Sequence, residues 1–242
     1  MAGRFEVRRC FAVLIDNREF LPESGLPPRV GAERDLYRIR EFCQLARFTV
    51  YERLPTNNLT LVQMRQLFQD VIWQDFSEYD ACIVLISSHG IKGEIRTTDG
   101  GTITVQEIVS AFEGIATLHG KPKLFFITNC LEEELILRDE ARPVVPFYIP
   151  MTYDVMVGYA SVDGYEYPRD PAEGSFAARV LDDVLRNHAF DMSLSEMLNI
   201  FSQRFYDSQQ PDGRRQVPNY VTNLRKPVYF IKPADLGEAS PV

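Results

Sequence analysis

The chain has no long apolar run. No stretch approaches the roughly 20 consecutive apolar residues that a membrane-spanning helix needs, and the basic N-terminus precedes only about six apolar residues, too few for an export signal. Its four cysteines lie far apart, and no C-x-x-C pair occurs. In a chain without an export signal, such cysteines are expected to be reduced thiols. The sequence therefore predicts a cytoplasmic protein.

The fingerprints of nucleotide binding and of α/β-hydrolases are also missing. There is no G-x-G-x-x-G after a strand, no G-x-x-x-x-G-K-[ST] and no G-x-S-x-G. The formal net charge of −8 argues against nucleic acid or an anionic membrane as the main partner. We therefore expect no cofactor, no bound metal, and neither nucleic acid nor a membrane as a partner.

What the chain does have is a regular alternation of apolar runs and helical patterns. Its 242 residues fit one large α/β domain or two small ones. Unbroken apolar runs that predict buried strands lie at 10–15, 80–88, 123–129, 154–161 and 226–231, with an alternating run at 48–54 and a hairpin at 94–104. Apolar residues at helical spacing predict helices at 32–48, 60–72, 105–112, 176–185 and 194–205. This order predicts an α/β fold with a mostly parallel sheet covered by helices on both faces.

Two of the predicted central strands end in chemically capable residues. "CIVLISSHG" ends at His89 and Gly90, and "KLFFITNC" ends at Cys130. Taken alone, either His89 or Cys130 could be structural, since free cysteine often packs as a small apolar side chain. Adjacent parallel strands lie about 4.8 Å apart, so the two residues can face each other. An imidazole there can take the thiol proton, and Gly90 permits a backbone N–H to approach a developing oxyanion.

Several segments together resemble the caspase family. They are "LISSHG", "GKPKLFFITNC", "GYEYPRDPAEGSF" and "RRQVPNYVTNLRKPVYF", and the likeness runs from about residue 8 to 232. The resemblance implies a six-stranded, mostly parallel sheet and an endopeptidase that cleaves after aspartate. Cys130 would be the nucleophile and His89 the general base and acid, with the N–H groups of Gly90 and Cys130 as the oxyanion hole. Since the first core strand begins near residue 10, the chain resembles members with a short prodomain.

The resemblance also assigns substrate-binding residues. Arg29 and Arg169 would hold the substrate aspartate, because paired guanidinium groups suit a buried carboxylate. Thr128 stands at the third position of that pocket.

The resemblance also implies residues that form the outer subsites and a carbonyl that orients the histidine. Tyr167 and Pro168 would form the edge that pairs with an extended substrate, and Phe176 would line an outer subsite. The carbonyl of Pro27 would orient the catalytic histidine.

The nucleophile segment departs from the family pattern. The family has Gln-Ala-Cys-Arg-Gly where this chain has Thr128-Asn129-Cys130-Leu131-Glu132. Thr128 replaces a glutamine that helps to hold the substrate aspartate, and Leu131 replaces an arginine that stacks on a tyrosine matching Tyr159. The three glutamates at 132–134 place negative charge near the thiol, which raises a thiol pKa unless they point away.

The resemblance divides the chain into a large-subunit region, 1–130, an inter-subunit linker, 131–150, and a small-subunit region, 151–242, all within one catalytic domain. Asp139 is the only aspartate in the linker and so the only candidate for cleavage there.

Two functions remain open from the sequence. The first is an active caspase that cleaves protein substrates at exposed aspartates in apoptosis, which the intact His89–Cys130 pair and both arginines favour. The second is a weakly active or inactive homologue that regulates other caspases by pairing with them, which the altered nucleophile segment and linker favour. In either case we expect a homodimer or a heterodimer with a related caspase, formed through the last strand, 226–231, at a sheet edge.

Overall fold

The computed structural model describes residues 3–91, 93–130, 153–159, 169–208 and 218–233. The predicted linker, 131–150, and two predicted subsite residues, Tyr167 and Pro168, lie outside these ranges.

Strands and helices alternate along most of the described chain. The strands are β1 (Phe5–Val7), β2 (Cys10–Asp16), β3 (Thr49–Val50), β4 (Ala81–Ile91), β5 (Glu94–Arg96), β6 (Thr102–Thr104), β7 (Lys123–Cys130), β8 (Val155–Tyr159), β9 (Arg169–Asp170), β10 (Gly174–Ser175), β11 (Asn219–Thr222) and β12 (Val228–Phe230). The helices are α1 (Ala32–Leu45), α2 (Leu61–Ile72), α3 (Val105–Glu113), α4 (Phe176–His188) and α5 (Leu194–Asp207).

The central sheet has the strand order β11-β8-β7-β4-β2-β3. Its first strand, β11, runs antiparallel to β8, and the remaining neighbours are parallel. The predicted mostly parallel sheet is therefore confirmed, but its sixth strand is β11, where no strand was predicted, and not the predicted strand at 226–231. The predicted hairpin at 94–104 is formed by β5 and β6 and is attached to the end of β4.

Helices cover both faces of this sheet, as the unbroken apolar strands predict. All seven residues of β2 are buried. On one face, side chains such as Val13, Val84 and Phe125 pack against α2 and α3. On the other face, Leu14 and Leu85 pack in a core that includes residues of α1, α4 and α5. Asp16, Ser87 and His89 are buried polar residues at the carboxyl ends of strands, which is where parallel sheets usually place their sites.

Side-chain caps fix where two of these helices begin. The Thr60 hydroxyl accepts from the Gln63 N–H, and the Gln63 side chain accepts from the Thr60 N–H, which forms a capping box before α2. The polar segment 56–58, just before this cap, bonds to the end of β2. A second capping box joins Ser193 and Glu196 before α5. Among the described helices, none combines the length and the apolar character required to cross a bilayer.

The position predicted for the last strand is wrong. β12 does not lie at the edge of the central sheet but pairs in parallel with β1 in a separate two-stranded sheet. The rings of Phe42 and Phe48 pack against Phe230, so β12 belongs to the core beneath α1. A short apolar strand carries no signal that names its partner, and β1, with three residues, is too short to be recognised from its pattern. Among the strands that the structure describes, β11 and β3 form the edges of the central sheet.

Candidate active site

The carboxyl ends of β4 and β7 bring the predicted catalytic residues side by side. In the parallel register of these strands, the Cα of His89 lies opposite that of Cys130, and Ser87 lies opposite Thr128. The register continues into β2, where Asp16 lies opposite Ser87. Asp16, Ser87 and Thr128 thus form one row across three strands, and His89 and Cys130 form a second row two residues further on.

His89 is held by a backbone carbonyl from a neighbouring loop. Its Nε2 lies 2.9 Å from the oxygen of Pro27, and the ring is 4.8 Å from that of Phe20 between centroids. The imidazole is almost fully buried, with 4% of the residue exposed. Since a carbonyl can only accept, Nε2 must carry the proton in this bond. In the neutral ring, Nδ1 is then the basic nitrogen, so it is the atom that can take a proton from a thiol.

Arg29 is buried at the same edge of the sheet. Its Nη1 donates to the Oδ1 of Asp16 at 3.2 Å and to the carbonyl of Asn17 at 2.8 Å. Its Nη2 donates to the Oγ of Ser87 at 2.8 Å. These contacts fix the guanidinium beside the row that ends at Thr128.

The segment that carries Arg169 docks against the segment that follows Arg29. Arg169 begins β9, which pairs with β10 as a short hairpin. A Cβ added to Gly31 would lie 2.7 Å from the carbonyl oxygen of Asp170, so the two backbones are in close contact. The N–H of Ser175 donates to Oδ1 of Asp35 in α1 at 2.8 Å. The two predicted arginines therefore lie on chain segments that contact each other.

A pocket lies between the sheet and helices α1, α4 and α5. Its walls are mainly apolar, with Leu36 and Phe126 among them, and Ser87 and Thr128 supply polar groups from the sheet. Because Arg29 donates to Ser87, this pocket adjoins the buried guanidinium. Thr128 is half-buried, and its hydroxyl donates to the carbonyl of Ile86 at 3.3 Å. An apolar pocket with a few polar groups at one end is the usual form of a ligand site.

The structure also describes the positions of Gly90, Phe176 and Tyr159. Gly90 continues β4 beyond the central sheet, opposite Ile95 of β5. Phe176 is the first residue of α4, and its ring lies 5.6 Å from that of Phe205 between centroids. Tyr159, which matches the tyrosine of the family pattern, is buried at the end of β8, and burial raises its pKa to about 12. Tyrosine at that pKa stays neutral near pH 7.

The other three thiols are core residues, as the sequence predicts. Cys10, Cys43 and Cys82 are all buried. Burial raises the pKa of Cys43 to about 12 and raises those of Cys10 and Cys82 as well, so the nucleophilic thiolate form is suppressed in each. In the ranges that the structure describes, no group of His, Cys, Asp and Glu side chains is arranged to hold a metal ion.

Sequence reasoning missed Asp16, Ser87 and Asp35. Asp16 directly follows the apolar run "CFAVLI", and His89 lies three residues past "CIVLI", so a search for chemically capable residues at strand ends could have found Asp16 as well. Ser87 gave no such signal, because serine near a strand end is common. Asp35 lies within a helix pattern, and its role depends on a hairpin 140 residues further along the chain.

Comparison with known proteins agrees with this geometry. The family model described as "Caspase domain" matches residues 9–229, a range that contains both His89 and Cys130. Caspase-3 of Bos taurus is 30% identical over 233 residues, which cover 90% of this chain and 83% of that protein. Caspase-7 of Gallus gallus is 28% identical over 247 residues, or 93% of this chain and 77% of that protein. Caspase-9 of Homo sapiens is 28% identical over 257 residues, or 90% of this chain and 60% of that protein.

Proposed function

Because the chain belongs to the caspase family, a family of cysteine peptidases, we propose that it is an endopeptidase that cleaves proteins after aspartate and acts in apoptosis in the cytoplasm. The observation that carries the proposal is the register that sets His89 opposite Cys130 at the carboxyl ends of β4 and β7. The bond from His89 to Pro27 supports it, since it leaves Nδ1 as the basic nitrogen.

In this mechanism, the Cys130 thiol transfers its proton to Nδ1 of His89, and the thiolate attacks the carbonyl carbon of the scissile bond. The electron pair of the carbonyl moves to its oxygen, which accepts hydrogen bonds from the N–H groups of Gly90 and Cys130. The intermediate collapses, the C–N bond breaks, and the leaving nitrogen takes the proton from the imidazolium. Water, deprotonated by His89, then attacks the thioester, and the released thiolate takes that proton back.

Substrate selection in this proposal depends on the two arginines. Arg29, fixed by Asp16, Asn17 and Ser87, and Arg169, on the hairpin that docks beside it, would bind the aspartate carboxylate with charge-assisted hydrogen bonds. Thr128 would lie at the pocket wall.

The remaining assignments complete the proposal. Tyr167 and Pro168 would pair with the extended substrate, and Phe176 would line an outer subsite. The large-subunit region would be 1–130 and the small-subunit region 151–242, joined by the linker 131–150.

A second candidate function is supported by the edge strand β11. Within the described residues β11 pairs with β8 on one side, and its other side is an edge of the sheet. An exposed edge invites pairing with another chain. A weakly active or inactive homologue could use this edge to bind a related caspase and change its rate. The altered residues around Cys130 favour this alternative.

Labelling with an irreversible peptide probe that ends in an aspartyl ketone separates the two functions. If the chain is an aspartate-directed peptidase, the probe should label Cys130, because the ketone carbon mimics the scissile carbonyl and the aspartate requires the arginine pocket. Mass spectrometry of the labelled protein measures the extent and position of the modification. Labelling should be absent in Cys130→Ala, reduced strongly in His89→Ala, and absent with a matched probe that carries asparagine.

The same preparation tests the regulator. A wild-type protein that stays unlabelled but changes the rate of a partner caspase would support the second function and contradict the first. Neither labelling nor an effect on a partner would contradict both.

A further inference from the structure

A carboxylate of the protein itself already contacts the predicted aspartate-binding arginine. The Oδ1 of Asp16 lies 3.2 Å from Nη1 of Arg29, and the two side chains are 0% and 2% exposed. Salt screens charges at this depth only weakly. Because the carboxylate of Asp16 offsets the charge of the guanidinium, the pair carries no net charge. Arg29 alone would be a strong site for an anion.

Asp16 is held so that its carboxylate stays near the guanidinium. Its N–H donates to the carbonyl of Thr56, and its own carbonyl accepts from the N–H of Asn58, both at 3.0 Å. On its other side β2 is in register with β4, where Asp16 lies opposite Ser87. Ser87 also accepts from Nη2 of Arg29. The carboxylate, the hydroxyl and the guanidinium thus form one compact group at the end of two strands.

We propose that Asp16 is a specificity-determining residue that lowers the preference of the site for aspartate over asparagine at the cleavage position. A substrate carboxylate that binds Arg29 must approach the carboxylate of Asp16, and two like charges a few ångströms apart repel each other. A neutral asparagine side chain meets no such repulsion. This inference rests on the proposed function, because it takes Arg29 as part of the aspartate pocket.

A purely structural role of the Asp16–Arg29 pair leads to a different experimental result. Asp16 could serve only to position Arg29, in which case its loss would weaken aspartate binding. If Asp16 instead competes with the substrate, its neutralisation should strengthen aspartate binding. The two roles therefore predict opposite signs for one substitution.

The experiment compares two fluorescent peptides that differ only in aspartate or asparagine at the cleavage position. Their binding to the full chain is measured by fluorescence anisotropy in a Cys130→Ala background, which prevents turnover. Asp16→Asn is nearly the same shape and lacks the charge. We expect it to raise the ratio of aspartate to asparagine affinity by about tenfold to a hundredfold, which corresponds to removing one like charge a few ångströms away in a partly shielded site.

A second pair of variants keeps the test decisive if Asp16→Asn folds poorly. Arg29→Gln leaves the Asp16 charge without its guanidinium, so it should bind the aspartate peptide very weakly. The double variant Arg29→Gln, Asp16→Asn removes the buried pair together, which proteins tolerate better than the loss of one partner. Relative to Arg29→Gln it should recover about tenfold in aspartate affinity without an equal gain for the asparagine peptide, which separates recovered recognition from recovered folding. A purely positioning Asp16 has nothing to position in that background and would give no recovery.

Ser87→Ala serves as the matched control, because it removes an uncharged partner of the same guanidinium. It should weaken binding without widening the preference for aspartate. The inference is overturned if the wild-type background binds the aspartate peptide and Asp16→Asn binds it no better, or if the double variant shows no recovery. If neither peptide binds in any background, the aspartate pocket itself is wrong, and the proposed function fails together with the inference.

Discussion

At the scale of single residues, Thr128 is the predicted pocket residue at which the chain departs from the family pattern. Its hydroxyl proton is donated to the carbonyl of Ile86, so it is not directed to a ligand in the pocket that Thr128 lines. The family pattern has glutamine at this position, whose amide extends further and keeps two N–H donors. In the proposed pocket, a glutamine at this wall would give a bound carboxylate a partner that Thr128 does not supply.

We therefore predict that Thr128→Gln strengthens reaction with the aspartyl ketone probe. A hydrogen bond to a charged group is worth about 1.5–3 kcal/mol, which corresponds to a gain of about tenfold to a hundredfold in the second-order rate of labelling. Thr128→Val, which keeps the shape and removes the hydroxyl, is the control and should give no gain. Equal rates for the glutamine variant and the wild type would mean that Thr128 does not face the bound carboxylate.

Single residues also show what the sequence can and cannot reveal. His89 and Cys130 are recognisable because each ends an unbroken apolar run, and such runs form parallel strands whose ends meet. The partner of Arg29 is not recognisable in this way. Asp16 and Arg29 are 13 residues apart, and their contact depends on how the loop after β2 folds back over the sheet. A pairing that depends on tertiary packing leaves no periodic signal.

At the scale of elements, the close contact between Gly31 and the β9–β10 hairpin joins the two halves of the predicted pocket. Gly31 has a φ of 81°, and a Cβ there would lie 2.7 Å from the carbonyl oxygen of Asp170. Gly25 has a φ of 68°, and a Cβ there meets nothing within 4 Å. The two glycines thus share a left-handed backbone, which would strain an alanine at either position, and differ in the contact with the hairpin.

Gly31→Ala should displace the hairpin that carries Arg169, while Gly25→Ala should not. Each variant loses about 1 kcal/mol or more of stability from the left-handed backbone. Only Gly31→Ala should also slow labelling by the aspartyl probe by about tenfold or more, since small misplacements of a binding group are costly. Thermal unfolding and labelling rates measure the two effects separately. Equal labelling rates in both variants would show that the docking of this hairpin does not position Arg169.

Elements also differ in how much of their arrangement the sequence determines. β2, β4 and β7 are long apolar runs, and helices such as α2 have strong amphipathic patterns, so both are predictable from the chain. β12 was recognised as a strand but assigned to the wrong sheet, because its partner β1 has only three residues. Pairing partners are set by three-dimensional packing, and short strands carry too few residues to encode them.

At the scale of the whole molecule, the dimer that we propose would use the edge of the central sheet formed by β11 rather than the last strand. The N–H of Asn223, just past β11, donates to the carbonyl of Val155 in β8. In an antiparallel pair, the backbone N–H and C=O groups of alternate residues point towards the partner strand and away from it. The backbone groups of Tyr220 and Thr222 therefore point away from β8, to the side where the described part of the chain adds no further strand. A second copy of the chain, or a related caspase, could add its own edge strand here.

Thr222→Lys should therefore prevent the dimer that we propose. Thr222 is exposed on β11, and a lysine there places like charges together when two edges pair, which is how natural edge strands resist association. Thr49→Lys is the matched control, because Thr49 is an exposed threonine on β3, the opposite edge of the same sheet. Sedimentation velocity should show dimers for the wild type and Thr49→Lys and monomers for Thr222→Lys. Dimers that persist in Thr222→Lys and dissociate in Thr49→Lys would place the interface at the other edge, and a wild-type monomer at high concentration, alone and with a related caspase, would contradict assembly through either edge.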